Sequence, residues 1–584
     1  MSLPSFAGKL FPKRAAHLLH RATFGATKEQ IDNFSNLTAS QAVSQLFQNG
    51  VPDPVLPVDP KTGTEWFITG TTGASSGDGD LQEYFKGWFV AQMLSSGVDA
   101  STALAYGTRE KIVFFIHTVL TTIQSKVDSS RSLYFQNQLF RRFAFDKLLG
   151  PKFTFKELTK KIVVDNAMLA LLDGNLNVNG NPNENFAREF HELFTIGRGL
   201  EGTLPPVTDP GDYFLYKELD VQAAAKVFSG WDVDKTYSNI DADTQLPRGK
   251  VRGSSTNASS HDNTVKQFSD RFNNQTITPD PLLMQGNNAT EESALDEISQ
   301  LVEQVYAKAE TPRNICRRIY RFFVYHDITQ AIDDTIVAGM ADTFIAGNYK
   351  LQPVLEELFQ SQHFYDAAGG VDDDNFGGII KSPLDLVTGT MKMFGLELPS
   401  MTGDPVKFYA QTADLLDKMK SMGLNFYEPY DVAGYDAFHQ WPIYQRSWIS
   451  TNYLTARYKL INTWVSENQD MPDMLSIDVV NFVKTKFDNG TASNARQLII
   501  ALAAYLLPLN ENLTYDPAAD DNAGLTAERM NYFLTAFLKN PEIDADPEGS
   551  WTFRWNNPVD PEVVQRQLQS LFNAMMQSPE YQLY

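Results

Sequence analysis

The chain has 584 residues, of which 42% are apolar and 12% aromatic, so it is long enough to bury an extensive core. With 49 basic and 71 acidic residues its formal net charge is −22, and such an acidic surface repels nucleic-acid phosphates. The charge therefore predicts no nucleic-acid partner. The sequence contains no apolar run of about 18 residues, so it also predicts no membrane span. The single cysteine, Cys316, excludes an intrachain disulfide and is predicted to be a small buried side chain.

Apolar residues recur at three- and four-residue spacing through most of the chain, which is typical of helices packed against a core. In the first half this spacing predicts helices over residues 13–23, 39–48, 81–94, 109–122, 135–148, 154–172, 183–196 and 219–228. In the second half it predicts helices over residues 293–309, 312–325, 352–360, 382–394, 404–420, 448–466, 494–506, 527–538 and 562–576. Period-two alternation is scarce. The predicted fold class is therefore mainly α: a large multi-helix array with long irregular loops and few short strands.

The stretch 232–288 is long, polar and rich in Asn, Ser, Thr and Gly. A loop of this length without secondary structure is unusual in a compact domain and is often functional. The sequence therefore predicts an N-terminal helical region over 1–231, a polar insertion over 232–288 and a C-terminal helical region over 289–584. The two helical regions are also compatible with one compact body.

A thirteen-residue stretch that begins at Asp173 holds six asparagines and two carboxylates between two helix-like segments. Compared with a calcium loop of the EF-hand type, it places oxygen ligands at Asp173, Asn175, Asn177 and Glu184. Val178 stands where the sharp turn of such a loop needs glycine. Amide and carboxylate oxygens suit Ca²⁺ or another hard divalent cation better than Zn²⁺. These four residues are the candidate metal ligands.

The same stretch has an interpretation without any ion, because asparagine-rich turns form readily by themselves. Asn181 and Pro182 are typical of a helix N-cap and first helical position. Glu184 would then bind back to the amide of Asn181, as in a capping box. Both interpretations of Glu184 remain open from the sequence.

The helix that follows carries one charged face, since Asn185, Arg188, Glu189 and Glu192 fall within an arc of roughly 100°. A solvent-facing stripe, with Arg188 and Glu192 as an i,i+4 pair, is the interpretation that the residues alone favour. The alternative is a buried polar site. Two carboxylates one turn apart would then share a metal, or hold their pKa values apart for acid–base catalysis.

Two of the eight histidines stand out. His117 lies on a strongly apolar helix and is predicted to be a core residue. His261 and Asp262 lie in the polar stretch and form a candidate catalytic or ligand pair, because a carboxylate orients an imidazole. The sequence lacks a phosphate-binding P-loop, a nucleophile elbow, a His-Glu-x-x-His motif and a paired-cysteine zinc signature. No nucleotide or other organic cofactor is therefore indicated.

Several landmarks follow one another along the chain. They are Leu19-His20-Arg21-Ala22-Thr23-Phe24-Gly25, Arg109-Glu110-Lys111 with His117, the block from Pro182 to Gly197, Asp220-Val221 with Gly230-Trp231, His261-Asp262, Lys381-Ser382-Pro383-Leu384-Asp385, and Gln577-Ser578-Pro579-Glu580-Tyr581. In this order they resemble the large bacterial family known as domain of unknown function 1800. The resemblance covers nearly the whole chain, and the block from Pro182 is its most specific part.

The resemblance implies a cellular setting rather than a reaction. Members similar to this chain often carry export signals and are encoded beside exported phosphatase-like or sulfatase-like proteins. It therefore implies a periplasmic or extracellular protein whose signal lies outside this sequence. The chain departs from the family pattern at Phe194, where a histidine is frequent, and at His191, which is usually apolar.

The resemblance also bears on the charged helix. The family block is matched by Asn185, Arg188, Glu189 and Glu192. The resemblance therefore favours a shared buried network over a solvent-facing stripe. Within such a network Asn185 and Arg188 are candidate binding residues.

Two functions are compatible with the sequence. The first is an exported helical scaffold or partner-binding protein with a calcium-like site. The second is a metal-dependent hydrolase that acts on an extracellular polymer or ester. In the second, Glu189 and Glu192 would be ligand or base, and His261, Asp262 and Asp220 would complete the site.

Overall fold

The computed structural model describes residues 3–67, 73–204, 207, 209–367, 375–467, 475–520, 524–539, 545–557 and 559–584. The helices of the first half are α1 (Phe11–Ala22), α2 (Lys28–Ser35), α3 (Ala39–Leu46), α4 (Asp78–Met93), α5 (Ala103–Val119), α6 (Gln124–Val127), α7 (Ser130–Ala144), α8 (Phe155–Val163), α9 (Asn166–Leu171), α10 (Asn185–Glu189) and α11 (Glu218–Val227). These helices, with those of the second half, confirm the predicted mainly α class.

The second half continues the helical pattern. Its helices are α12 (Glu291–Tyr306), α13 (Glu310–Phe323), α14 (Gln330–Ile332), α15 (Ala338–Ala346), α16 (Leu351–Gln360), α17 (Pro383–Phe394), α18 (Pro405–Ser421), α19 (Asp436–His439), α20 (Thr451–Asn462), α21 (Val479–Lys486), α22 (Asn489–Ser493), α23 (Ala495–Leu506), α24 (Ala527–Leu538), α25 (Pro547–Asn556) and α26 (Pro561–Met576). Turns of π-helix cover Phe190–Phe194, Asp333–Val337 and Thr463–Glu467. Short 3₁₀ turns cover Gly174–Leu176, Asp270–Phe272, His363–Tyr365, Tyr444–Trp448 and Glu580–Gln582.

Two predicted helices are divided in the structure. The segment 154–172 forms α8 and α9, because the side chain of Asp165 accepts a hydrogen bond from Met168 N at 2.9 Å and caps a new helix. The segment 183–196 starts as α10 and continues as a π turn. The pattern also missed α2, although a capping box between Thr27 and Gln30 marks its beginning.

Within the described residues, the β-strands form two antiparallel pairs in and beside the polar stretch. Strand β1 (Trp231–Asp232) pairs with β2 (Lys250–Val251), and β3 (Lys266–Gln267) pairs with β4 (Thr276–Ile277). The stretch is ordered by its own side chains. Asp234 alone accepts hydrogen bonds from the backbone of three residues further along the chain.

Helix α5 lies in the interior of the molecule and contacts α1, α3, α4, α7 and α13. Every side chain from Ala105 to Val119 is buried, although three consecutive residues carry charges. Glu110 accepts hydrogen bonds from Arg109 Nε at 3.0 Å and from Arg141 Nε at 2.9 Å. Lys111 donates to Asp385 Oδ1 at 2.5 Å. These ion pairs compensate the desolvation of the charges and fix α7 and α17 against α5.

Two smaller sequence predictions are confirmed. Cys316 is buried on α13, and burial raises the pKa of its thiol. His117 is buried on α5 with its ring stacked on Tyr427 at a centroid distance of 4.1 Å. None of the helices in the described ranges is long and apolar enough to cross a bilayer.

We predict that Glu110→Gln destabilises the protein strongly. The change leaves the guanidinium groups of Arg109 and Arg141 without a counter-charge inside the core, which costs about 3–5 kcal/mol. Chemical denaturation followed by circular dichroism measures the loss. The control is Glu562→Gln, which removes an exposed partner of Arg566 and should leave the midpoint unchanged. Equal midpoints for the two variants would contradict the prediction.

Candidate functional site

The structure gives two of the four candidate calcium ligands other partners. Asn177 is buried, and its side chain donates to Ala225 O at 2.7 Å while it accepts from Asn183 N at 3.1 Å. Glu184 lies 3.8 Å from Arg188. Asp173 is exposed with a left-handed backbone, φ = 56°. In the described part of the chain, no group of three or more His, Cys, Asp or Glu side chains is placed to hold a metal ion. Calcium binding stays a prediction.

The capping-box interpretation is wrong. The amide of Asn181 donates to Val178 O at 3.0 Å, because Gly180 has φ = 81° and closes a tight turn there. Helix α10 begins only at Asn185, whose amide donates to the side chain of Asn183 at 3.0 Å.

Calcium binding is tested by thermal unfolding in EDTA and after Ca²⁺ is added back. If Asp173 is a ligand, Ca²⁺ at about 100 times its dissociation constant stabilises the wild type by about 2.7 kcal/mol. The gain should vanish in Asp173→Ala and persist in Asn179→Ala, a change at an exposed neighbour. Unfolding that does not respond to Ca²⁺ would contradict the prediction.

The predicted solvent-facing ion pair between Arg188 and Glu192 does not form. Arg188 donates to both carboxylate oxygens of Glu218, at 3.0 and 2.6 Å, and to Tyr213 Oη at 2.9 Å. Glu192 accepts from Tyr216 Oη at 3.2 Å and pairs with Arg198. The reason is the π turn that follows Glu189, which changes the direction of every later side chain. Such turns are frequent at functional sites.

Glu189 differs from its neighbours. Its side chain is half-buried, and no hydrogen bond to its carboxyl group is found within the described ranges. Burial and the nearby charge of Glu192 raise the pKa of Glu189 to about 7. The acid is therefore partly protonated near neutral pH. Asn185, the other predicted binding residue on this helix, is exposed at its beginning.

His261 is buried and lies between two partners. Its Nδ1 is 2.9 Å from Ser229 O, and its Nε2 is 3.3 Å from Glu297 Oε2. Lys266 pairs with the same oxygen of Glu297. Asp262 instead accepts hydrogen bonds from Thr264, so it does not orient the imidazole. All three members of the His261–Glu297–Lys266 group have fully buried side chains.

Asp220 is a structural anchor. It accepts from Lys217 N at the beginning of α11, and from both the amide and the hydroxyl of Ser269, each at 2.7 Å. No hydrogen bond or ion pair in the described structure joins Asp220 to His261, to Glu189 or to Glu192. The residues predicted to form one catalytic site therefore occupy separate local networks.

A small cavity, of about 30 Å³, lies where four distant segments of the chain meet. It is called the Lys381 cavity below. Its polar lining consists of His20, Lys381, Asp385, Thr390, Tyr581 and Tyr584, and its apolar lining includes Phe24, Leu386, Met393 and Leu506. A mainly apolar cavity with a few convergent polar groups is the usual form of a small-molecule site.

Asp385 organises one wall of this cavity. It pairs with Lys111 and accepts from Tyr584 Oη at 3.0 Å and from Ser382 Oγ at 2.7 Å. Lys381 donates to Tyr581 O at 2.6 Å, and its amine lies 4.0 Å above the ring of Tyr581. The polar wall is therefore built by mutual contacts between α5, α17 and the last residues of the sequence.

Burial changes the protonation of the lining groups. It lowers the pKa of Lys381 to about 7 and that of His20 to about 3. The imidazole of His20 is therefore neutral at physiological pH. The amine of Lys381 exchanges its proton in the range where acid–base catalysis operates.

The ends of the chain close the cavity. Buried Arg21 donates to the carbonyl oxygens of Phe323, Val324, Asn375 and Tyr584, at 3.1, 2.5, 2.8 and 2.7 Å. Gly25 follows α1 with φ = 111°, and a Cβ there would lie 2.6 Å from the Cα of Gly389. Only glycine permits this approach of the α1 end to α17.

No single motif predicted this cavity. Its lining residues nonetheless belong to the sequence landmarks: His20 to the opening one, Lys381 and Asp385 to another, and Tyr581 to the last. Lys111 of α5 does not line the cavity but pairs with Asp385. Their shared signal is a polar or glycine residue embedded in an apolar helical pattern. Only the tertiary structure brings these landmarks together.

The family model described as "Protein of unknown function (DUF1800)" matches residues 17–583. No curated protein and no solved structure gives a match. The matched range contains every landmark that lines or supports the Lys381 cavity, apart from the last residue, Tyr584.

Proposed function

The chain belongs to the DUF1800 family, and from this premise and the geometry above we propose that it binds a small organic anion in the Lys381 cavity. The observation that carries the proposal is the convergence of His20 with Lys381 and Asp385, from two separate landmarks, on one cavity. The small volume, about 30 Å³, suits a small carboxylate such as formate or acetate. A methyl group of such an anion would contact Phe24 and Met393.

The charge around the cavity supports an anionic ligand. Lys381 lines the cavity, and Lys111 and Arg457 lie near the same carboxylate, that of Asp385. Burial lowers the pKa of Arg457 to about 10. An anion placed here would recover part of the desolvation cost of these cations. The concentration of positive charge contrasts with the net charge of −22 of the whole chain.

The same amine supports a catalytic role. With a pKa of about 7, about half of the Lys381 side chains are neutral at pH 7 and can accept a proton from a bound molecule. Asp385 is held by three donors and would position the ligand relative to the amine. We therefore propose acid–base chemistry on the bound anion, with Lys381 as base.

Formate and acetate are suitable probes because each presents a carboxylate group and is small enough for the cavity. We expect one of them to bind in isothermal titration calorimetry, and Lys381→Met to weaken binding by about tenfold, the loss of one charge-assisted hydrogen bond. Lys459→Met, a change of an exposed lysine on α20, is the matched control and should have no effect. Equal affinities for the two variants would contradict the proposal.

The pKa of Lys381 has a separate consequence for stability. Its value is lower in the folded state, about 7, than the usual 10.5, so the unfolded chain binds more protons between these values. Stability contributed by this group therefore rises as the pH increases from about 7 to 10.5. Relative to Lys381→Met, the wild type should gain stability across this window in denaturation measured at several pH values. A difference in stability between the two proteins that does not change with pH would show that the pKa of Lys381 is not lowered.

Glu189 supports a second candidate, the hydrolase predicted from the sequence, acting on an extracellular polymer or ester. Its acid has a pKa of about 7 and no hydrogen-bond partner in the described structure, whereas Glu192 is held by Tyr216 and Arg198. Two carboxyl groups in such different environments suit a general acid and an anionic partner. In this candidate Glu189 would protonate the leaving group.

The protonation of Glu189 is measurable without a substrate. Because its pKa is raised above the usual 4.5, the stability contributed by the protonated form is present below pH 4.5 and is lost as the pH rises through about 7. Glu189→Gln should remove this dependence. Glu192→Gln should lower the pKa of Glu189, because it removes a nearby negative charge. A pKa near 4.5 by NMR titration in the wild type would contradict the candidate.

The scaffold function predicted from the sequence remains an alternative proposal. Buried ion pairs such as those of Glu110 and Glu297 support it, because they join separate segments of the chain in the interior. A periplasmic or extracellular location is likewise a proposal, supported by the family resemblance. Absence of binding by any small anion, with intact folding, would favour the scaffold.

A further inference from the structure

A larger cavity, of about 290 Å³, borders helix α5 at Arg109. It is called the arginine cavity because Arg109, Arg141 and Arg142 all line it, together with Gln138 and Asp53. Consecutive helical positions differ by about 100°, so Arg109 and Lys111 point to opposite sides of α5. The arginine cavity is therefore separate from the Lys381 cavity, and the inference goes beyond the function proposed above.

The guanidinium groups of Arg109 and Arg141 at this cavity have N–H donors without an acceptor in the described part of the chain. Glu110 accepts from Nε of both Arg109 and Arg141 and from Nη2 of Arg141. Arg109 Nη2 and Arg141 Nη1 are enclosed and have no hydrogen-bond partner within the described residues. Both arginines are 6% exposed. Buried donors are normally paired, because an unpaired charged donor loses its hydration without compensation.

The charge at the cavity is also unbalanced. Three arginines face two carboxylates, those of buried Glu110 and exposed Asp53. Arg142 is exposed and makes no ion pair in the part of the chain that the structure describes. Excess positive charge in a recess of an acidic protein attracts anions.

We propose that the arginine cavity binds a small organic molecule through a phosphate, sulfate or carboxylate group. Guanidinium groups present paired N–H donors that match the oxygens of such groups. Glu110 holds Arg109 and Arg141 in fixed positions, so little side-chain entropy is lost when the ligand binds. Arg142 and Asp53 both line the cavity, so Arg142 would attract the anion and Asp53 would repel it. A volume of about 290 Å³ accommodates more than an inorganic ion.

Calorimetric titration with inorganic phosphate, sulfate and citrate at constant ionic strength tests this proposal on the full chain. Citrate distinguishes a carboxylate from the two tetrahedral anions. We expect at least one anion to bind saturably. Arg142→Gln should weaken that binding by about fivefold, whereas Asp53→Asn should strengthen it because a repelling charge is removed. Arg566→Gln, at an exposed arginine on α26, is the matched control and should change nothing.

Arg142→Gln and Asp53→Asn leave the buried ion pairs intact, so folding is preserved. Their opposite effects on the affinity for the anion are therefore informative. Lys381→Met separates this site from the Lys381 cavity. Binding that survives Lys381→Met and weakens in Arg142→Gln supports the arginine cavity, even if formate and acetate fail to bind in the Lys381 cavity. Binding lost in Lys381→Met and unchanged in Arg142→Gln would overturn it, as would the absence of saturable binding by all three anions.

Discussion

The arrangement of this protein depends on how three consecutive charges on α5 are accommodated in its interior. A charged side chain without a partner in the core costs several kcal/mol, so each must meet a counter-charge. Glu110 meets Arg141 of α7, and Lys111 meets Asp385 of α17. Helices distant in the sequence are thereby fixed at defined positions along α5, which apolar packing alone would leave more freely adjustable.

The same constraint explains why the two cavities lie on either side of this helix. Charged side chains and their partners fill space less completely than branched apolar ones, and their unused donors favour polar ligands over close packing. At the Lys381 cavity the cations exceed the single carboxylate of Asp385. At the arginine cavity two enclosed guanidinium nitrogens have no acceptor. Both recesses are therefore basic, in a chain with a net charge of −22.

Residues that look reactive in the sequence are largely anchors in the fold. Asn177 holds the asparagine-rich loop against α11, whereas Asp220 and His261 hold the polar stretch against the helical part of the molecule. Their sequence patterns resemble those of a metal or catalytic site, because a structural anchor and a functional site both need several oxygen and nitrogen atoms close together. Glu189 is the exception, since the π turn leaves its carboxyl group without a hydrogen-bond partner among the described residues.

The sequence by itself determined most of the longer helices, because helical periodicity depends on neighbours three and four residues away. The segment predicted over 527–538 coincides with α24. The sequence could not identify the partners of buried charges, since Lys111 and Asp385 are 274 residues apart. Nor could it predict the π turn after Glu189, which is a local change of hydrogen bonding within an otherwise regular pattern. Only the tertiary structure decided which polar residues are anchors and which line a cavity, because that depends on what packs around each one.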